Sequence, residues 1–363
     1  MILFRYLAGH FFRSFATIVV FFAGLFLLLD GAEQMRRFAR YSSTSWPDLL
    51  LLIGLRLPDF ILRFLPPILL LATLLAVTRL SHNNEITAMR AGGIPLRRIL
   101  LSFLIAGGVV TLSQGLLLNH VIPVTALVSS QMMERMKQGQ SAMQPVGELF
   151  STSHDRDLWL RDRDWIIHAE QAVAQQGVLF DVMIFQFDND LLRTRIDARK
   201  AEFRDGSWSL VDGTSYQFGA VMKAQKFTAM PWQSQLDMAQ LNRSTPAPAH
   251  LSFSQLRRYA DRLQREGYDA VLYQLARQRR MADPVTTLAS VLLAFPFAVR
   301  LHRMGKVRRS LATGVAVGFV LYIIVDLFNS FGEHHRLTPE LAAWSPVAMF
   351  TGFAAFLLLH LED

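Results

Sequence analysis

The sequence predicts an α-helical membrane bundle of six transmembrane helices, with a large outer β-jelly-roll domain inserted between the third and fourth helices. Three observations carry that reading. The 363 residues are 52% hydrophobic and 18% charged, whereas soluble domains run at about 25% charge. The apolar residues gather in six long runs. Between the third and fourth runs lies a polar stretch of short β-type segments, where residues 139–280 carry 18 Lys+Arg against 17 Asp+Glu in a chain of formal net charge +8. The positive surplus therefore sits in the short segments between apolar runs. Basic residues there orient a membrane protein, and nucleic acid is not an expected partner.

A bilayer core of about 30 Å takes about 17–25 apolar helical residues. Phe15–Leu29, Leu49–Leu80, Ile99–Val121, Pro284–Val299, Leu311–Phe331 and Trp344–Leu361 meet or approach that length. Asp30-Gly31-Ala32 is no small-residue cleavage site, so the first run is read as a retained helix and not as a signal peptide. The second run carries Arg56, Asp59, Arg63, Pro58 and Pro66-Pro67, which predicts a tilted or kinked helix. Arg5, Arg13, Arg79, Arg90, Arg97, Arg98, Arg300, Arg303, Lys306, Arg308 and Arg309 fall on one side of an alternating assignment, against Arg36, Arg37, Arg40 and Arg336 on the other. The richer side is cytoplasmic. Both termini are then cytoplasmic, and the long loop after the third span is outside.

The chain divides into 1–139 for three spans with a cytoplasmic helix at 81–91, 140–250 for the β-domain, 251–283 for a helical connector and 284–363 for the last three spans. Within the β-domain, Leu158–Leu160, Trp165–Ile167, Val178–Phe187, Ser207–Val211 and Thr214–Phe218 read as strands. Asp205-Gly206 and Asp212-Gly213 punctuate them as tight turns. Ser244 to Ala249 reads as a proline-bearing linker, followed by a helix with Leu256, Tyr259 and Leu263 at helical spacing. With no cysteine, disulfides, thiolate metal sites and a cysteine nucleophile are excluded.

The segment from Arg79 to Pro95 is the most informative short motif: Arg79-Leu-Ser-His-Asn-Asn-Glu85-Ile-Thr-Ala-Met-Arg90-Ala-Gly-Gly-Ile-Pro95. It predicts a short helix capped by Ser81, with Glu85 near the positive end of the dipole, Arg90 near the negative end, and Gly92-Gly93 and Pro95 as the stop. Ile86 and Met89 share one face, expected to be exposed and suited to a partner's groove. The alternative is an ordinary capped loop helix.

That motif, with Leu65-Pro-Pro-Ile-Leu-Leu-Leu-Ala-Thr-Leu-Leu-Ala-Val before it, resembles the LptF/LptG permease family of the lipopolysaccharide-export ABC transporter. The six-span layout, Asp205-Gly-Ser-Trp-Ser-Leu, the Leu256-Tyr259-Leu263-Gly267 helix and Pro284 match along almost the whole chain. Glu33-Gln-Met-Arg-Arg37 and Tyr322-Ile-Ile-Val-Asp326-Leu-Phe are more similar to the LptG branch. The resemblance implies a permease subunit of the inner membrane with a periplasmic domain that passes lipopolysaccharide to a periplasmic bridge. It implies as partners an LptF-like second permease, an LptB-like ATPase dimer, a membrane-anchored LptC-like protein and an LptA-like bridge. Glu85, Ile86, Met89, Arg90 and Gly92 would couple to the ATPase. No G-x-x-x-x-G-K-[ST] loop occurs, so ATP and Mg are expected in the partner and no cofactor in this chain.

Arg36, Arg37 and Arg40 are the candidate contacts for lipid phosphates, with Arg135 and Lys137 behind them, because guanidinium groups pair bidentately with phosphate. The alternative is that the three arginines anchor at headgroups or neutralise Asp30 and Glu33. The resemblance leads to a basic residue being expected in some relatives where Asp30 stands here, which argues against carrying the phosphate site over residue by residue. Arg56, Asp59, Arg63 and Asp326 are the intramembrane polar candidates and are expected to face protein or a wet cavity; Asp59 and Arg63, at i and i+4, are spaced to pair. Glu333-His334-His335 lacks the spacing of a zinc protease, and no G-x-S-x-G elbow occurs, so a transport subunit is expected and not an enzyme. The LptF-like partner, and a membrane sensor or mechanotransmission protein with an outer ligand domain, stay open as alternatives.

Overall fold

The computed structural model describes residues 2–38, 46–137, 158–162, 165–173, 177–188, 191–204, 207–219, 222–232, 247–265, 267–302 and 307–360. The chain forms two compact units: Met1–Gln144 with Pro248–Asp363, and Pro145–Ala247.

The first unit is helical. Its elements are α1 (Ile2–Phe38), α2 (Trp46–Arg63), α3 (Leu65–His82), α4 (Glu85–Ala91), α5 (Leu96–Lys137), α6 (Phe253–Arg265), α7 (Val271–His302), α8 (Val307–Glu333) and α9 (Pro339–Leu359). Six of them, α1, α3, α5, α7, α8 and α9, contain stretches long and apolar enough to cross a membrane. The second run of the sequence is two helices and not one long span. Pro66 and Pro67 lack the N–H groups that would bond the carbonyls of Leu62 and Arg63, so the helix stops at Arg63 and restarts with the prolines in its first turn. The expected interruption is there, and the stretch long and apolar enough to cross a membrane is Leu65–His82. Arg56, Asp59 and Arg63 accordingly lie on α2, outside it.

The helix α3 is the centre of the unit. Leu65, Ile68, Leu69, Leu70, Leu74, Val77 and Leu80 are all buried, on every side of the helix, which is the pattern of a fully enclosed element. On it pack α1, α7 and α8. Small residues set the closest approaches: a Cβ on Gly332 of α8 would come within 2.6 Å of the Ala342 Cβ of α9. The amphipathic α6 buries Leu256, Tyr259, Ala260 and Leu263, the helical spacing read from the sequence. Removal from water pushes the Tyr259 phenol well above its ordinary range.

The second unit is one antiparallel sheet of six strands in sequence order: β1 (Leu158–Asp162), β2 (Trp165–Val173), β3 (Val178–Asp188), β4 (Leu191–Arg204), β5 (Ser207–Gln217) and β6 (Lys223–Trp232). The order is up-and-down, and among the described residues the sheet has no crossover of jelly-roll type. Ile167, Ile184 and Ile196 meet across β2, β3 and β4, and Trp208 opposes Trp232 across β5 and β6; all five are buried.

Asp212-Gly213 is not a turn between two strands. The chain passes through it within β5, with Asp212 at φ 53°. Asp181 on β3 has φ 46°, and Arg199 on β4 and Asp212 on β5 share its row, each skipped by the regular pairing. Arg199 bonds to Asp212 at 3.2 Å. Positive φ bends a strand as readily as it closes a hairpin, and here it interrupts the pairing for one row while the register on either side is kept. Asp205-Gly206 and the first residues of the Ser244–Ala249 linker lie outside the described residues.

A Cβ on Gly213 would collide with the Asp197 carbonyl and the Phe227 ring. Gly213→Val should therefore destabilise the sheet by about 1–3 kcal/mol. Hydrogen exchange in the full-length protein should speed up across residues 191–217, while Asp212→Asn, which tolerates positive φ, should leave it near wild type.

Candidate functional site

The segment between α3 and α5 is built to hold a short helix rigidly. Only Asn83 and Asn84 separate α3 from α4, and Asn84 takes φ 58° as the residue before the helix. Ser81 is not the cap: α3 continues through it to His82, and it is buried. The other end closes as a Schellman motif. The Ile94 N–H donates to the Met89 carbonyl at 3.0 Å and the Gly93 N–H to the Arg90 carbonyl at 3.0 Å, with Gly93 at φ +82°. Glu85 lies in the first turn and Arg90 in the last, each favourable to the helix dipole.

The apolar face of α4 points inward, which corrects the expectation of exposed anchors. Ile86 is 6% exposed and belongs to one cluster with Leu7, Phe11, Leu80, Ile99 and Phe103, against which Met89 and Ile94 also pack. Hydrophobic burial is stronger when the face has a ready core next to it, and the ends of α1, α3 and α5 supply one. The side chains turned outward are Thr87, Ala88, Arg90 and Ala91, with Gly92 after them. A residue missed by sequence reading joins the site: the Tyr6 hydroxyl of α1 donates to Glu85 Oε2 at 2.7 Å. Their separation of 79 positions leaves no local signal in the sequence.

At the other end of α1, Arg36 bonds to Glu33 at 3.1 Å. Asp30 is met by Arg56 of α2, whose Nη1 donates to both carboxylate oxygens at 2.9 and 3.2 Å, so Arg56 pairs across helices, apart from Asp59 and Arg63. Phe26 of α1 with Leu49 and Ile53 of α2 forms the apolar contact beneath. Asp59 and Arg63 pair with each other at 3.7 Å. The side chains of Arg37, Arg135 and Lys137, and all of Arg40, lie outside the described residues.

A cavity of about 470 Å³ opens at the α2–α3 junction, roughly the length of α3, about 27 Å, from α4. It is lined by Asp59, Arg63 and Asp326, three of the four polar candidates, and by Gln114, Arg279, Arg280 and Asp283. The last three were missed in the sequence, where the charged run Arg279-Arg280-Met-Ala-Asp283-Pro at the head of the fourth apolar run was the available signal. Arg280 donates to the carbonyls of Leu118 on α5 and Leu251 before α6. Asn119 Oδ1 accepts from the Phe253 N–H at 2.8 Å. These bonds fasten the chain where it returns from the sheet unit. His335, of the Glu333-His334-His335 run, pairs with Asp269 at 3.0 Å.

A family model described as "Lipopolysaccharide export system permease LptF/LptG" matches residues 5–360. The lipopolysaccharide export system permease protein LptG of Haemophilus influenzae is 22% identical, over 98% of this chain and 96% of its own length. LptG of Escherichia coli K12 is 25% identical over 84% of each chain.

The inward face of α4 yields a direct expectation. Ile86→Ala should cost about 2–5 kcal/mol, as for other buried aliphatic truncations. The loss should register as faster hydrogen exchange over residues 83–93, with Thr87→Ala, on the outward face, changing little.

Proposed function

We propose, from the premise that this chain belongs to the LptF/LptG family of lipopolysaccharide export permeases, that it is the LptG-like permease subunit of an ABC transporter. In this reading it extracts lipopolysaccharide from the inner membrane and passes it to a periplasmic bridge. A separate LptB-like ATPase dimer, with ATP and Mg, supplies the work. An LptF-like second permease, an LptC-like membrane-anchored protein and an LptA-like bridge complete the assembly. Both termini are cytoplasmic and the sheet unit is periplasmic.

The observation that carries this reading is α4. A short helix with a buried inner face and a polar outer face, joined directly to α3 and α5, is a good handle for an external motor. A partner that grips Thr87, Ala88 and Arg90 moves α3, α5 and α1 together, because Ile86 sits in the core that those helices share. The absence of a phosphate-binding loop from the sequence fits an ATPase on another chain.

At the far end of the bundle, Arg36, Arg37 and Arg40 are the proposed contacts for lipid phosphates, with Arg135 and Lys137, at the end of α5, as further candidates. Asp30 is already matched by Arg56, and Arg36 pairs with Glu33 in an exposed bridge; such exposed pairs are worth at most about 1 kcal/mol, so a phosphate can compete for Arg36 at small cost. The sheet has one apolar face, which needs a covering layer. A second β-layer completing a jelly roll is part of this proposal, and an open strand edge would join the bridge by β-augmentation.

Glu85→Lys should remove the co-purifying ATPase and cut ATP-dependent lipid release from proteoliposomes by about 10-fold or more, the loss expected when a charge-assisted contact becomes repulsive. Retained ATPase and unchanged release would contradict the coupling role. Photocrosslinkers at positions 36 and 40 should capture lipopolysaccharide, and charge reversal at Arg36 and Arg37 should weaken that capture more than it disturbs assembly.

A further inference from the structure

The coupling carboxylate is held from two sides. The Tyr6 hydroxyl donates to Glu85 Oε2 at 2.7 Å, and Asn83 Nδ2 donates to Glu85 Oε1 at 3.2 Å. A carboxylate offers about four lone-pair positions. One bond on each oxygen fixes the plane of the group and leaves acceptor capacity for an incoming cation. Tyr6 is itself held: its ring lies 4.6 Å from that of His10, one turn along α1. The neighbouring Leu7 and Phe11 are fully buried in the cluster that contains Ile86.

We propose that Tyr6 is a positioning residue for ATPase coupling: its hydroxyl orients Glu85 and ties the first turns of α1 to α4. The inference rests on the reading of Glu85 as the coupling carboxylate. Its consequence is a second route for force. α3 and α5 are joined to α4 through the chain, whereas α1 reaches it through space, by the Tyr6–Glu85 bond and the packing of Leu7 and Phe11 in the shared cluster. α1 is one uninterrupted helix of 37 residues, about 55 Å long. Its other end carries the Asp30–Arg56 bond and Arg36. A displacement of α4 by the motor therefore reaches the end of α1 proposed to meet lipid, without passing through the break between α2 and α3.

The test uses the purified complex with its ATPase and second permease in proteoliposomes, with lipid released per ATP hydrolysed as the readout. Tyr6→Phe keeps the ring and its contact with His10 and removes only the donor. It should lower release per ATP by about 5- to 10-fold, the size of effect expected for one hydrogen bond to a charged group, while both partner subunits still co-purify. Adding Tyr6→Phe to Glu85→Ala, which removes the acceptor altogether, should give no loss beyond that of Glu85→Ala alone. Residues that act independently would give multiplied losses, and that result overturns the proposal. An unchanged ratio in Tyr6→Phe, with the ATPase lost in Glu85→Lys, overturns the role of Tyr6 and leaves the coupling reading standing. If Glu85→Lys keeps both ATPase and release, the coupling reading falls, and the Tyr6 proposal with it.

Discussion

The burial of α3 on all sides is the constraint on which the rest of the helical unit depends. A helix with Leu65, Ile68, Leu69, Leu74 and Val77 all enclosed has no face that can slide without breaking contacts on another. Within a membrane such contacts are held by close van der Waals packing and not by removal from water, and close-packed interiors transmit displacement instead of absorbing it. Whatever moves one end of α3 moves the helices around it. The chain places α4 at that end, two residues away, and seats Ile86 in the same core.

The two ends of the unit then differ in chemistry. Around α4 the contacts are apolar, closed by a Schellman motif and one carboxylate held between Tyr6 and Asn83. At the α2–α3 junction the contacts are ionic and the packing is open: Asp30 with Arg56, Asp59 with Arg63, and a cavity lined by Arg279, Arg280, Asp283 and Asp326. The break before Pro66-Pro67 lies within the second of these regimes. It frees backbone carbonyls and lets α2 take a direction of its own, so α2 is the element least bound to follow α3. Continuous helices such as α1 and α5 bridge the same span without interruption.

Much of this was legible in the sequence. Long apolar runs announce helices whatever their tertiary context, and the proline pair announced an interruption. The limits of the helices were less legible, because Arg5, Arg13 and Glu33 extend α1 at both ends without altering its apolar centre. β4 and β6 were missed: Leu191–Arg204 is rich in Arg, Lys, Ala and Glu, and Lys223–Trp232 alternates weakly, so their strand state comes from pairing with β3 and β5 and not from local preference. Asp212-Gly213 signalled positive φ correctly, but that signal is shared by hairpins and by irregular residues within a strand. At α4, Glu85, Arg90 and the glycine stop were readable from spacing. The inward orientation of Ile86 and Met89 was not, since a short amphipathic helix shows which residues share a face without saying what covers it. The Tyr6 and Arg56 contacts depend on helix packing alone.

The central claim is that α4 moves as one body with the helices that flank it. It is tested most directly by pulsed electron resonance on the cysteine-free chain, with spin labels at Ala91 on α4 and Leu101 on α5, both exposed, in the complex with and without ATP. A single narrow distance, unchanged on nucleotide binding, is the predicted result. A distance that shifts or splits when ATP binds would mean that α4 slides on the bundle, and would contradict the account.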